Sequence, residues 1–153
     1  MENFEIDQSG KIEQLDTHTV VAGANKDARA IWLSAGVKRK LIQRLRKSRI
    51  SQKDLLPIFF AVLCFLLLKT LPQLPNVIVI DEEYTAKESI IKEILLKLLN
   101  RQTRGKWQGG IGFKMIGHGS PAHRLAWSLH RLKKSNQSRV ISENEVLSLL
   151  KLA

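Results

Sequence analysis

Cysteine occurs once among the 153 residues, as Cys64 inside an apolar run. A single thiol excludes both a disulfide framework and a cysteine zinc site. The four histidines, His18, His118, His123 and His130, show no HExxH spacing. No apolar run reaches the roughly 20 residues of a bilayer crossing. The longest is Leu55 to Leu68, 14 residues bounded by Asp54 and Lys69, which predicts a helix buried in a core rather than stable membrane insertion. The N-terminus, Met1-Glu2-Asn3-Phe4-Glu5, is acidic and lacks an apolar segment, which reads against a signal peptide. These absences together predict a reducing, cytoplasmic compartment.

Acid is scarce in a patterned way. From Ala28 to Lys53 there are nine Lys/Arg and no Asp or Glu; from Ile94 to Ser142 there are ten and again none. Over the chain, 25 Lys/Arg stand against 14 Asp/Glu, a formal charge of +11. Such a surplus points to a polyanionic partner, nucleic acid or an anionic membrane surface. A solvated face usually mixes its signs, and single-sign blocks of this length depart from that pattern.

The apolar content, 44 %, is enough for a packed core and excludes disorder. The length suits one domain. Phe4 to Asp7 alternates and meets a turn at Gln8-Ser9-Gly10; Lys11 to Gln14 resumes an extended pattern. His18 to Ala22 is β-branched and Ala30 to Leu33 is a third short strand. Val37, Leu41 and Leu45 then recur at helical spacing, with Ile42 widening the stripe. After the apolar helix, Val77 to Asp81 is an unbroken β-branched run, the mark of a central strand covered on both faces. A helix from Thr85 to about Asn100, a strand from Ile111 to Ile116 and a helix from Pro121 follow. Ser120 caps that last helix, with Pro121 at its first position. Residues 1–133 form the domain; 134–153 read as a polar linker and a short C-terminal helix. The expected order is β-β-β-α-α-β-α-β-α, an α/β fold with a five-stranded mixed sheet flanked by helices.

Asp7 sits at the centre of the first strand, just before a turn, and Asp81 ends the Val77-to-Asp81 strand. If the strands are neighbours, both carboxylates project at one end, and paired carboxylates suit Mg²⁺, which needs hard oxygen ligands. The plainer alternative is a pair of turn or cap residues.

Three motifs resemble ribonuclease H-like nucleases. Asp7-Gln8-Ser9-Gly10 is similar to their first strand, and Ile78-Val79-Ile80-Asp81 to the fourth. Ser120 to Ala126 is similar to the final helix of RuvC-like resolvases. The meander followed by alternating helices and strands agrees with that layout. The resemblance implies a ribonuclease H-like domain and a metal-dependent nuclease, with structure-selective DNA cleavage as one form. Asp7 and Asp81 would bind Mg²⁺ or Mn²⁺, with Glu82 as a third ligand. His123 stands where the family has its last acid, so its implied role is catalytic, as a ligand or as a group that positions water or phosphate. The alternative is a nucleic-acid-binding protein of the same fold without catalysis. The candidate phosphate contacts are Lys38, Arg39, Arg44, Arg46 and Lys47 on the first helix, Arg101, Arg104 and Lys106 in the basic loop, and Arg124. Trp107 either stacks on an unpaired base or anchors its loop; His118 sits at the strand-to-helix turn, within reach of a phosphate. DNA and RNA both remain open as partners, as does a homodimer.

Overall fold

The computed structural model describes residues 3–133 and 137–151. Part of the polar segment expected over 134–139, and residues 152–153, lie outside them. The described residues form an α/β fold with one mixed sheet of six strands and five helices. The strands are β1 (Phe4–Ser9), β2 (Thr19–Ala24), β3 (Ala28–Leu33), β4 (Val77–Asp81), β5 (Gly110–Lys114) and β6 (Arg139–Val140). The helices are α1 (Ala35–Arg46), α2 (Leu55–Leu68), α3 (Glu88–Thr103), α4 (Pro121–Leu132) and α5 (Glu143–Leu150).

The sheet order is β5-β4-β1-β2-β3-β6. β2 is antiparallel to β1 and β3, whereas β1, β4 and β5 run parallel, as do β3 and β6. The expected count of five strands is thus corrected to six. β6 is only two residues long, both exposed, and too short for periodicity to reveal. It brings with it Ile141 and Val146, both fully buried, so that α5 packs on α1 and α2. β4 is an interior strand between β1 and β5, although the middle pair of the sheet is β1 and β2. Lys11 to Gln14 is not a strand. It is a turn closed by the Gln14 N–H donating to Lys11 O at 2.9 Å.

The two faces of the sheet are covered unequally. One carries α1, α2, α3 and α5 around a large apolar cluster. α2 lies at its centre with twelve of fourteen residues buried, which explains an apolar run without a polar side. Among the described residues no helix is long and apolar enough to cross a membrane. The other face carries α4 alone, over Val20, Ala22, Ala30 and Trp32. Gly10 turns the chain out of β1 with φ +74°, where a Cβ would collide with His18 O and the His130 ring.

Candidate metal centre and its surroundings

β1 and β4 pair in parallel through Phe4↔Ile78, Glu5↔Val79 and Ile6↔Ile80. Continuing that register sets Asp7 beside Asp81 at one end of the sheet. Alternation along β1 sends Phe4 and Ile6 into the large core and Glu5 and Asp7 toward α4. Oxygen atoms of Asp7, Asp81 and Glu83 all lie within 4.8 Å of one another. Glu83, not the expected Glu82, completes this group. Glu82 is exposed, and its N–H donates to Lys114 O at 3.1 Å. The chain bends just after β4, where the Glu83 N–H donates to Asp81 O at 2.8 Å. Strand alternation carries no signal for Glu83, because β4 ends at Asp81 and this turn, not extended backbone, brings Glu83 round to the group.

Each carboxylate is held by other groups. Asp7 is 3 % exposed; its Oδ1 accepts from the Gln8 N–H at 2.8 Å. Its Oδ2 lies 2.8 Å from His123 Nδ1. Asp81 Oδ1 accepts from the Ile116 N–H at 2.8 Å, fixing the loop that leads to α4. Lys11 Nζ is 3.9 Å from Glu83 Oε2. Burial pushes the Asp7 carboxyl above the usual carboxylate range, against the pull of its His123 bond, and the Asp81 charge adds to the rise. Glu83 is raised likewise, by burial first and then by Asp81. Crowded, partly desolvated carboxylates are costly as anions unless a cation joins them. Three hard anionic oxygens at this spacing suit Mg²⁺ or Mn²⁺.

His123 projects from the first turn of α4, positioned by Ser120, whose hydroxyl caps the helix at Ala122 N and donates to Glu5 Oε1 at 2.9 Å. His123 Nε2 lies 3.0 Å from Nδ1 of the exposed His118, with the rings edge to face. With Asp7 ionised, the His123 proton sits on Nδ1, and Nε2 accepts from His118. Glu5 pairs with Lys114 Nζ at 2.7 Å, a tie between β1 and β5 that keeps its carboxyl below the usual range.

The chain has no match among family models, curated proteins or solved structures.

The basic candidates divide sharply. Lys38 is a correction: it is fully buried, its ammonium donating to Thr19 Oγ1 at 3.0 Å and Lys11 O at 3.3 Å, so it cannot reach a phosphate. The helical stripe of α1 simply includes this position. Of the two roles open to Trp107 the contacts support the anchoring one: its indole N–H donates to Pro75 O at 2.9 Å and its ring packs over Gly109. It anchors its loop. Arg39 donates to Leu15 O at 2.9 Å, and Arg44 pairs with Glu143 at 3.0 Å. Arg46, Lys47, Arg101, Arg104 and Lys106 are exposed. The expected basic loop is in part helix, since α3 runs to Thr103; the segment from Arg101 to Lys106 joins the opposite end of the sheet, beside Asn76, whose carbonyl accepts from the Gly110 N–H at 2.8 Å. β4 separates it from Asp81 by about 15 Å at 3.3 Å per residue. Arg124 and His118 are the basic candidates near the carboxylates. With His123 and Trp127 they line an open cleft of about 400 Å³.

Proposed function

We propose that the protein is a metal-dependent nuclease of the ribonuclease H-like type, working on nucleic acid in the cytoplasm. The observation that carries this reading is the convergence within 4.8 Å of Asp7 in β1, Asp81 at the end of the adjacent parallel strand β4, and Glu83 just beyond it. The strand motifs that resemble the family contribute two of those carboxylates, and the helix that resembles its last helix contributes His123. Asp7, Asp81 and Glu83 would hold Mg²⁺ or Mn²⁺. Bound there, the cation supplies Lewis-acid polarisation of a phosphate and a more acidic water.

The chain's own residues have separable tasks. His123 fixes the rotation of the Asp7 carboxylate through Oδ2, while the Gln8 N–H fixes Oδ1. The Ile116 N–H does the same for Asp81. His118, exposed and bonded to His123, lines the cleft and holds the far nitrogen of that ring in place. Arg124 brings positive charge to the same cleft without reading bases.

The test compares wild type, Asp7→Asn and Glu83→Gln on linear and branched DNA and on RNA, with Mg²⁺, Mn²⁺ or EDTA. Cleavage by wild type alone, lost in EDTA, is expected, with both variants still binding. Amidation removes a charged ligand and lowers repulsion of phosphate, so binding holds while cleavage falls. Equal cleavage by all three proteins would assign the activity elsewhere. Binding without cleavage on any substrate would leave the non-catalytic reading, which the missing acid at His123 favours.

A further inference from the structure

We propose that the outer ridge of α4 is a track for single-stranded nucleic acid, with one unpaired base stacked on Trp127. This rests on the nucleic-acid reading above and adds the form of the substrate. Trp127 is 49 % exposed, and tryptophan rarely leaves so much ring in water without a partner. It borders the cleft formed by His118, His123 and Arg124. The Arg131 guanidinium sits 5.0 Å from its ring centroid, a cation that steadies the indole and attracts phosphate.

The spacing makes a line of these groups. His123, Trp127 and Arg131 succeed one another at i, i+4 and i+8, with Arg124 three residues before Trp127, so they share one side of the helix. From His123 to Arg131 is about 12 Å at 1.5 Å per residue. The ridge therefore begins at the histidine that touches Asp7 and leads outward. No Asp or Glu occurs anywhere between Glu93 and Glu143, so α4 itself carries no carboxylate to oppose a phosphate backbone. A duplex keeps its base faces stacked inside, whereas a single strand offers each face to an aromatic side chain. An indole amid arginines on a convex helix suits the single strand.

The experiment measures anisotropy of labelled single-stranded and blunt duplex oligonucleotides in EDTA, where cleavage plays no part. Trp127→Ala is expected to weaken single-strand binding about tenfold, the loss of one base–aromatic stack. Trp127→Phe should restore most of it, and duplex affinity should change little in either variant. The side chain is exposed and its removal leaves the core intact. Unchanged single-strand affinity in Trp127→Ala, or equal loss for duplex and single strand, would overturn the proposal. So would a change only in oligomeric state, which would make the ridge a contact between copies. The stacking effect without any metal-dependent cleavage would sustain this inference while removing the nuclease reading.

Discussion

Lys38 shows how far a single buried charge can depart from its place in a sequence pattern. It sits on the core side of α1 with no ion pair among the described residues; burial lowers its pKa from 10.5 to about 8, against the more distant pull of Asp16 and Glu13. Between those values the unfolded chain binds more protons than the folded one, so stability rises with pH across that window. Its two acceptors have other bonds: the Thr19 hydroxyl donates to Gly10 O, and Lys11 O accepts from Gln14. Lys38→Met should therefore raise stability at pH 7, by up to about 3 kcal/mol from the size of the shift. It should also flatten the rise between pH 8 and 10. Chemical denaturation at pH 7 and 9.5 measures both; a destabilised variant with an unchanged pH profile would contradict the account.

The acidic group has the opposite sign. Asp7 and Glu83 are raised above their ordinary 3.8 and 4.5. Here the folded state holds the extra protons, so these groups weaken the fold as pH climbs through the raised values. A divalent cation should counter that cost. In thermal melts at pH 7.5, Mn²⁺ at a hundredfold excess over Kd should raise Tm by about 5 to 10 °C. The gain should shrink as pH falls and protons compete for the raised carboxylates, and vanish in Asp7→Asn. An equal gain in that variant would place the cation elsewhere.

At the scale of elements, the C-terminal segment is part of the core. β6 extends the sheet beside β3, the Ile141 N–H donates to Trp32 O at 2.9 Å, and Ser142 with Glu145 forms a capping box on α5. Ile141→Ala should cost about 3 kcal/mol, as for other buried large-to-small changes, measurable by urea denaturation. A loss under 1 kcal/mol would mean the segment is only loosely attached.

The elements the sequence disclosed were those with long, single-valued patterns. α2 and β4 follow directly from an unbroken apolar run and an unbroken β-branched run. β6 was illegible because two exposed residues carry no period, and its pairing depends on a strand over a hundred residues earlier. α3 starts at Glu88 rather than Thr85, since Ala86 adopts φ 65°, a left-handed turn that apolar patterning does not encode. Asp7 and Asp81 were legible as acids on two strands and His123 by resemblance. Glu83 and Trp127 were not, the first for want of the bend after β4, the second because helical exposure depends on what covers the neighbouring face.

For the whole molecule, position decides which charges matter. The net charge of +11 is spread over both ends of the sheet, but the carboxylates occupy only one. If six to ten cations meet phosphates, affinity should fall about 10³- to 10⁵-fold between 50 and 200 mM salt. Arg124→Ala should lower the logarithmic salt slope by about 1, whereas Arg104→Ala, at the far end, should leave it unchanged. The reverse ranking would move the nucleic-acid path to the Arg101-to-Lys106 segment.

The lone helix on the second face has a kinetic consequence. α4 is anchored by a small cluster in which Ala22, Ala30 and Ala126 contribute little surface, while α2 has twelve of its fourteen residues buried. Elements with few apolar anchors open locally before the rest of a protein unfolds. Amide hydrogens of α4 should exchange faster than those of α2 and α3, carrying His123 away from Asp7 at each opening. Oligonucleotide bound along the helix should slow that exchange selectively. Substrate would then hold together a centre that otherwise opens from time to time, and each opening would let water reach the buried Asp7.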